Sequence, residues 1–382
     1  MPESIIQDRL NDMKNIAGKT FNQITGSDNN ILMITIFIIS VISFFIISWI
    51  YGTLSNRNLN CKRLNSIYKE NNDMRTTNKS IPTNVEYKHD MLKNFVIKTA
   101  YNCCCIDNYK NNWVDECALK KCIYQGARCL DFEIYSYNNE PIIAASTANN
   151  NSIKETYNYL KFSKVLEVIK SFNNYIYIDN YEDPLFLHFR IMSDNIDIYN
   201  LMGNYINSIL FDNSDKICNL NDDKLINTQL HELKNKFIIM VNAKNYRNVE
   251  QSSLNKYVNL KSGGPFLHEY RYNTVVAAED VDNSGSTIIS GKTSASLIIV
   301  LPNINNKIDN YEWSKPYSFG CNFIAMKFQT IDANLLTYNK YLFTDDNNKA
   351  IVIKRNERRH DRTTDISYST DFTLGSPSIT EL

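Results

Sequence analysis

The feature that most constrains this chain is an uninterrupted apolar run near its N-terminus. Residues 31–51 read ILMITIFIISVISFFIISWIY and contain neither a charged residue nor a proline. A helix rises about 1.5 Å per residue, so a run of this length can cross the roughly 30 Å hydrocarbon core of a bilayer. Trp49 and Tyr51 lie at one end of it, where aromatic rings favour the membrane interface. The run therefore predicts a single transmembrane helix.

A buried core helix and a cleaved signal peptide are the alternatives to a membrane span. A core helix would carry some polar positions, and a signal peptide would have a shorter apolar run without a long polar segment before it. Lys19 is the one basic residue just before the run, whereas Arg57, Lys62 and Arg63 follow it. This charge difference predicts that the C-terminal part of the chain lies in the cytosol.

The charge balance and the composition exclude several classes of protein. The 382 residues include 41 basic and 41 acidic side chains. No excess of positive charge is available to neutralise nucleic-acid phosphates, so a nucleic-acid partner is not expected. A hydrophobic content of 43% is enough for a folded core. Asn, Lys, Ile and Tyr, which have AT-rich codons, are used heavily, and this indicates an AT-rich viral or microbial genome.

Composition along the chain predicts four further regions around the membrane span. Residues 1–30 form a polar N-terminal segment, and residues 52–85 form a polar, Asn-rich linker without sustained periodicity. Residues 86–355 are long enough for one domain of TIM-barrel size. Residues 356–382 are rich in Ser, Thr and charge and are predicted to be a disordered tail.

Within the predicted domain, short apolar runs alternate with segments whose apolar residues recur at helical spacing. The runs, each a predicted strand, are FVIKTAY (95–101), RCLDFEIYS (128–136), PLFLHFRIM (184–192), KFIIMVN (236–242), SASLIIVLP (294–302) and NFIAMKFQT (322–330). The predicted helices are DECALKKCIYQGA (115–127), FSKVLEVIKSF (162–172) and DIYNLMGNYINSIL (197–210). Strands joined by helical crossovers imply a parallel sheet, in either an α/β barrel or a doubly wound domain. No GxGxxG motif, P-loop or nucleophile elbow is present.

The cysteines allow two interpretations. Cys103, Cys104 and Cys105, together with Cys117 and Cys122, could form a zinc site. However, the cluster contains no CxxC pair, and Cys117 and Cys122 are poorly spaced for one helix face. Reduced structural thiols in a cytosol-facing domain are the favoured interpretation.

Three segments, in order, resemble the phosphoinositide-specific phospholipase C family. GARCLDFEIYSYNNEPII (126–143) is similar to the family's X-region signature, a Gly-x-Arg strand with alternating acids followed by a Glu-Pro turn. HELKNKFIIMVNAK (231–244) resembles the strand that ends the X half. SFGCNFIAMKFQTIDANLLTYNKYLFTDDNNKAIVIK (318–354) is similar to the Y-region.

The resemblance implies a TIM-like barrel with an X half at about 90–244, a variable insert at about 245–290 and a Y half at about 291–355. It also implies a phosphoric diester hydrolase. In this family one histidine acts as a general base on the inositol 2-hydroxyl, and a second stabilises the phosphate and the leaving group. Calcium, held by an Asn and several carboxylates, offsets the charge that develops on the phosphate.

Four residues match functional positions of the family. Asn102 matches the calcium-binding asparagine, and Asp131 and Glu133 match the acidic pair on the second strand. These two acids are two positions apart, so both side chains leave the strand on the same face, as metal ligands must. Tyr311 matches the tyrosine that packs on the inositol ring. The resemblance thus predicts a substrate pocket and a vestigial calcium site around these residues.

Other positions depart from the family pattern. Tyr101 and Ala145 stand where the two catalytic histidines are expected. Arg190 occupies the position of a further calcium carboxylate, and Met240 and Asn242 replace phosphate-binding lysines. We therefore expect Arg190 to point toward Asp131 and Glu133 and to take the place of the ion.

The remaining histidines offer one weak substitute for the missing base. The chain contains His89, His188, His231, His268 and His360. His188 alone falls on a predicted barrel strand, on the same face as Arg190. It is interpreted first as a hydrogen-bonded interior histidine and second as a surrogate catalytic base in the substrate pocket.

Together these features predict a single-pass, membrane-anchored phospholipase C-like protein whose barrel is cytosolic and catalytically inactive. It would bind membrane lipid through its anchor and either a phosphoinositide headgroup or a protein through its barrel. One alternative is an active phosphodiesterase on phosphoinositides or related phosphodiesters with an altered mechanism. A second is a structural membrane protein of a virion. No cofactor is expected, and calcium would bind only if the site were still functional.

Overall fold

The computed structural model describes residues 11–19, 29–70, 74–80, 90–148, 153–174, 176–211, 216–280, 289, 292, 295–305, 307–344 and 348–354. The chain divides into two compact units, Met1–Leu59 and Asn60–Leu382. Most of the predicted N-terminal segment 1–30 and the whole predicted tail 356–382 lie outside the described residues.

A long helix, α1 (Asn29–Glu70), contains the apolar run; it begins in the first unit and ends in the second. Among the described helices, α1 is the one that is long and apolar enough to cross a membrane. None of its most apolar stretch is buried. Large apolar side chains such as Phe37, Phe44 and Ile47 are mostly exposed. A lipid environment would cover this surface. Residues 11–19 are also helical, with exposed side chains.

Helix α1 continues well beyond the predicted span, whereas the sequence predicted a linker over 52–85. In its last turns Leu64 and Tyr68 are buried and Ile67 is half-buried. Spacings of three and four residues put these side chains on one helix face, and packing of that face stabilises the helix. Extending a helix that already exists also costs less than starting a new one. The linker prediction is therefore wrong as far as Glu70.

The described residues of the second unit include eleven strands. In chain order they are β1 (Phe95–Ala100), β2 (Cys129–Tyr137), β3 (Glu140–Ala144), β4 (Leu160–Lys161), β5 (Leu185–Ile191), β6 (Phe237–Ala243), β7 (Val258–Lys261), β8 (Leu267–Arg271), β9 (Leu297–Leu301), β10 (Phe323–Met326) and β11 (Ile351–Ile353). Eight of them pair in parallel in the order β7-β6-β5-β2-β1-β10-β9-β8. Among the described residues β7 and β8 end this order without pairing to each other, so the barrel is nearly closed. The predicted TIM-like α/β barrel is confirmed.

Helices and short antiparallel strands surround the barrel. After α1, the described helices are α2 (Glu116–Tyr124), α3 (Phe162–Phe172), α4 (Ile196–Tyr205), α5 (Asp222–Ile226), α6 (Tyr246–Gln251), α7 (Tyr272–Asp280), α8 (Ser314–Ser318) and α9 (Ala333–Thr337). A π-helical turn, Ile206–Leu210, continues α4, and another, Tyr338–Thr344, follows α9. Strand β3 extends β2 as an antiparallel hairpin, and β11 pairs with the start of β1.

Alternation along the strands separates an interior face from an exterior face. On the exterior, the Phe132 and Phe189 rings lie 5.9 Å apart, and Phe189 meets Phe162 of α3 at 5.2 Å. In the interior, the Phe186 ring of β5 contacts Phe323 of β10 at 5.2 Å. Aromatic side chains therefore pack in the interior near the amino end of β5, and the polar residues lie in the layers nearer its carboxyl end.

The six predicted strands and three predicted helices all form, but β7 and β8 do not match the prediction. Both lie within 245–290, which was predicted to be a variable insert. Their sequences, VNLK and LHEYR, contain few apolar residues because they border the unpaired edge of the barrel. A search for apolar runs does not detect such short polar strands.

The prediction that the cysteines are reduced thiols is wrong for one pair. Cys61 of α1 and Cys117 of α2 form a disulfide, although 56 positions separate them in sequence. The other seven cysteines are free and buried. The pairing depends on the helical extension of α1, which brings Cys61 to α2, and the sequence analysis did not foresee that extension.

Candidate functional site

Polar side chains meet inside the barrel at the carboxyl ends of its first strands. Strand β2 supplies Asp131 and Glu133, β5 supplies His188 and Arg190, and Asn102 follows β1. In the parallel register, Asp131 lies beside His188 and Glu133 beside Arg190. Because alternate residues of a strand share a face, all four side chains enter the same interior. We call these five residues the interior cluster.

Asn102 adopts an unusual backbone conformation that serves the interior cluster. Its φ angle is 44°, in the left-handed region that asparagine tolerates better than most residues. This turn directs its backbone N–H to Asp131 Oδ1 at 3.1 Å. Its side-chain Nδ2 donates to Glu133 Oε1 at 3.2 Å. One residue thereby connects the end of β1 to both acids of β2.

The Arg190 guanidinium lies at the centre of the interior cluster. Its Nε and Nη2 donate to the two carboxylate oxygens of Asp131 at 2.9 and 2.7 Å, and Nη1 donates to Glu133 Oε1 at 2.8 Å. Nη2 also donates to Asn102 Oδ1 at 2.8 Å. Only 1% of the Arg190 side chain is exposed. The predicted contact between Arg190 and both carboxylates is present, with bidentate geometry toward Asp131.

The electrostatics of the interior cluster favour the ionised forms. Burial alone would raise the pKa of Asp131, but the charges and hydrogen bonds of Arg190 and His188 hold it below its usual value. Burial would also lower the pKa of Arg190, and the nearby carboxylates raise it instead. The positive charge of Arg190 and the negative charge of Asp131 thus stabilise each other in a part of the barrel that is shielded from water.

Glu133 and Arg190 each make further contacts with residues outside the interior cluster. Glu133 Oε2 accepts a hydrogen bond from the Tyr135 hydroxyl at 2.9 Å and from the Ser146 backbone N–H at 3.0 Å. The Arg190 guanidinium carbon lies 4.6 Å from the centre of the Tyr101 ring, a cation–π distance. Tyr101, which stands at a predicted histidine position, therefore covers the arginine.

His188 connects the interior cluster to the unpaired edge of the barrel. Its Nδ1 lies 2.8 Å from Asp131 Oδ2, and its Nε2 lies 3.4 Å from both Glu269 Oε2 and Ser262 Oγ. Asn242 donates to the same Glu269 oxygen at 2.8 Å. Burial by itself would lower the pKa of His188, yet its hydrogen bonds to the two carboxylates raise it above the usual value.

Glu269 and Ser262 are the site residues that the sequence analysis missed. Glu269 is the middle residue of β8, and Ser262 directly follows β7. Both belong to the segment that was predicted to be an insert. The alternation of Leu267, Glu269 and Arg271 along β8 was the available signal, because it places one acid on the barrel interior.

The other predicted site residues either lie away from the interior cluster or have side chains without an acidic or basic group. Ala145 is fully buried just after β3 and offers only a methyl group. Met240 is buried beside His188 in the register of β5 and β6. The Tyr311 hydroxyl donates to the Val300 carbonyl at 3.0 Å, and its ring stacks on Tyr272 at 4.4 Å. None of these described contacts brings Tyr311 to the interior cluster.

Two further histidines are described, and neither joins the interior cluster. His231 lies in a short 3₁₀ turn, Leu230–Leu233, outside the barrel strands. His268 lies on β8, next to Glu269 and therefore on the opposite face of the strand. His89 and His360 lie outside the described residues.

The residues that match calcium ligands do not fit calcium in this arrangement. Both oxygens of Asp131, both oxygens of Glu133 and the Asn102 side-chain oxygen already accept hydrogen bonds. A cationic guanidinium lies among them at hydrogen-bonding distance, where a divalent ion would have to lie. Calcium needs six or more oxygen ligands and cannot share that volume with Arg190.

Comparison with known proteins agrees with the architecture. No protein-family model and no curated protein matches the sequence. Among solved structures, PLC21 of L. pealei superposes with a TM-score of 0.56 at 13% identity, over 72% of this chain and 38% of that chain. PLC21 of S. officinalis gives 0.53 at 13% identity, with the same coverage. A calcium-dependent phosphoinositol-specific phospholipase C from a Pseudomonas species gives 0.43 at 8% identity, over 71% and 97% of the two chains.

The match to PLC21 is therefore confined to less than half of those chains. The parallel strands of this chain form the barrel that the sequence segments around β2, β6 and β10 predicted. At this level of identity the likeness concerns architecture, because chemistry depends on individual site residues. The chain has the barrel fold of the phosphoinositide-specific phospholipases C.

Proposed function

We propose that this protein is a membrane-anchored, catalytically inactive phospholipase C-like barrel that binds an anionic lipid headgroup. The observation that carries the loss of catalysis is the position of Arg190. Its side chain contacts Asp131, Glu133 and Asn102, the three residues that match calcium ligands. An ion pair built from the chain's own residues replaces the metal and closes the interior of the site.

The residues available for proton transfer support the same proposal. Tyr101 packs on Arg190, and Ala145 has no titratable group. His188 lies between the carboxylates of Asp131 and Glu269, which favour its protonated form. A histidine that stays protonated cannot accept a proton from a substrate hydroxyl, so it is a poor general base. The interior cluster therefore offers no unprotonated histidine to act as a general base.

Anchoring is proposed from α1 and from the charges that flank its apolar run. The run is long enough to span a bilayer, and its side chains are exposed. Arg57, Lys62 and Arg63 follow it, against Lys19 before it, which favours a cytosolic barrel. An anchored barrel would meet lipid headgroups at high local concentration.

Basic residues at the barrel mouth support a headgroup as the ligand. Lys244 follows β6 and Arg271 ends β8, both in the alternation that faces the barrel interior, and the carboxyl ends of parallel strands meet at one end of a barrel. Lys244 pairs with an exposed acid, Asp194, and Arg271 donates a hydrogen bond to the Tyr101 hydroxyl at 3.3 Å. An exposed ion pair is weak, so a phosphate can compete with Asp194 for Lys244.

An activity assay tests the inactive state. The full-length protein in mixed micelles is incubated with phosphatidylinositol and calcium, with an active phospholipase C as the positive control. We expect inositol phosphate release at the rate of a protein-free blank, because losing a general base alone removes about 10²–10⁴ in rate. Turnover at ordinary enzyme rates that is lost in Asp131→Asn would contradict the proposal and favour an active phosphodiesterase with an altered mechanism.

A binding assay tests the ligand. Soluble inositol phosphates are titrated calorimetrically into the detergent-solubilised full-length chain. Replacing both Lys244 and Arg271 with Gln should weaken binding by about tenfold or more, since a charge-assisted hydrogen bond contributes roughly 1.5–3 kcal/mol. Lys164→Gln, on an exposed helix face, is the matched control. An absence of binding by the wild type would refute headgroup recognition and leave a protein-binding or structural virion role.

A further inference from the structure

The Cys61–Cys117 disulfide differs from the other cysteines in its surroundings. Both of its residues are half-buried, whereas the seven free cysteines are buried. Water and small thiols can therefore reach this bond while the remaining sulfurs stay protected. Cys61 lies in the last turns of α1, and Cys117 lies in the first turn of α2.

The bond ties α1 to the segment that carries two residues of the site. Residues 101–115 connect β1 to α2 and begin with Tyr101 and Asn102. At the far end, the Asp115 side chain accepts a hydrogen bond from the Cys117 backbone N–H at 2.8 Å and so caps α2. A movement of Cys117 would therefore act on the end of this connecting segment, residues 101–115, which we call the site loop.

Noncovalent contacts hold the last turns of α1 only in part. Leu64 and Tyr68 are buried, and the Tyr68 hydroxyl donates to the Phe328 carbonyl at 2.6 Å. Beside them lies a cavity of about 140 Å³ between residues 60–67 of α1 and the loops that follow β1 and β10. Side chains that line an open cavity face solvent instead of protein, so α1 buries less apolar surface here than a fully packed helix would.

We infer that Cys61 and Cys117 form a redox-responsive clasp, which holds the last turns of α1 on the start of α2, directly after the site loop, when oxidised and lets them open when reduced. A half-exposed disulfide on a cytosolic barrel would be within reach of the glutathione pool. The inference uses the proposed orientation but not the proposed ligand or the loss of catalysis.

The redox step balances with glutathione as the reductant. A glutathione thiolate attacks one sulfur of the bond, forms a mixed disulfide with that cysteine and releases the other cysteine as a thiolate. A second glutathione thiolate displaces the first cysteine and leaves as oxidised glutathione. Both protein thiolates then take up protons. The bond gains two electrons in total, and two glutathione molecules supply them.

Limited trypsin digestion of the full-length protein in detergent tests the clasp. Cleavage after Lys62 and Arg63 reports opening of α1, because a helix must unfold locally to enter a protease. Reduction with glutathione should raise this cleavage rate about fivefold or more. The double variant Cys61→Ser, Cys117→Ser should be cleaved at the fast rate with or without glutathione. Cys218→Ser, which removes a buried free thiol, should keep the redox dependence.

Thiol trapping in cells gives a second measurement that needs no variant. Cells are acidified, free thiols are alkylated, and peptides joined through Cys61 and Cys117 are quantified by mass spectrometry with and without a thiol oxidant. The joined fraction should rise on oxidation and fall on recovery. A fraction that never changes, in either the joined or the alkylated form, would overturn the inference, as would equal cleavage rates before and after reduction.

Discussion

Burying the positive charge of Arg190 without partners would cost free energy. Its guanidinium instead donates hydrogen bonds to Asp131, Glu133 and Asn102. The guanidinium and the Asp131 and Glu133 carboxylates are almost completely buried. Taking such ions out of water costs several kcal/mol each, and close, well-oriented hydrogen bonds can offset that cost. The consequence is that removing one partner costs more than the pair contributes, because the other charges stay buried without compensation.

Replacing Arg190 with Met tests this imbalance. Asp131 and Glu133 would then lie side by side without their main cation, and one of them would have to take up a proton. We expect unfolding in urea to show a loss of about 3–5 kcal/mol. Lys164→Met, which breaks an exposed pair with Glu167, is the control and should cost less than about 1 kcal/mol. Equal losses for the two variants would show that the interior cluster contributes nothing special.

Reversing the charge at Arg190 should create a metal site. In Arg190→Glu, three carboxylates and the Asn102 amide oxygen would surround the volume that the guanidinium occupies, a set of oxygens suited to calcium. The variant should be unstable without calcium and should gain several degrees in melting temperature when calcium is added. The wild type and Arg190→Gln should not respond. A calcium effect on the wild type would mean that Arg190 does not exclude the ion.

The protonation of His188 should give the fold a distinct pH dependence. Its pKa is raised in the folded state by Asp131 and Glu269 and is about 6.5 when unfolded. The stabilisation is complete below pH 6.5 and is lost as the pH rises toward the folded-state pKa. The melting temperature of the wild type should therefore fall above pH 6.5. The melting temperature of His188→Gln should change less with pH. Identical profiles for the two proteins would exclude a protonated His188.

Among the elements, α1 combines two environments in one continuous helix. Its first part exposes an uninterrupted apolar surface, and its last turns bury Leu64 and Tyr68 within the second unit. No proline or glycine pair interrupts it between Tyr51 and Glu70. The same element therefore provides both the proposed anchor and a helix that packs on the fold.

Two carboxylates in the apolar run should release the protein from the membrane. Asp at the centre of a spanning helix costs about 2.5–3.5 kcal/mol on insertion scales, so Ile38→Asp with Phe44→Asp should remove most of the driving force. Extraction with alkaline carbonate should leave the wild type in the pellet and the double variant in the supernatant. Arg57→Asp, beyond the run, is the control. Carbonate-resistant association of the double variant would argue against a membrane span.

At the scale of the whole molecule, the distribution of charge predicts which side of the membrane the barrel occupies. Protease added to the cytosolic side of intact membranes should degrade the barrel, because Arg57, Lys62 and Arg63 favour a cytosolic position for the chain that follows the span. An N-terminal tag should survive until detergent is added. Protection of the barrel with loss of the N-terminal tag would reverse the orientation and would place the Cys61–Cys117 bond in an oxidising compartment.

The sequence by itself determined the apolar run, the strand–helix alternation and the site residues Asp131, Glu133 and Arg190. These features depend on local periodicity and composition, which remain legible without tertiary contacts. The period of two along β2 and β5 even predicted that Arg190 would share a face with the acids, and the contact is present.

Only the tertiary structure decided the partners that come from distant or weakly patterned segments. Glu269 and Ser262 reach His188 because β7 and β8 complete the barrel, and such short polar strands take their structure from their neighbours. Cys61 meets Cys117 because α1 continues past the apolar run and its last turns belong to the second unit. In both cases the stabilising contacts join residues far apart in the chain, and a local pattern can place a side chain on one face of a strand or helix but does not identify the residue that it meets.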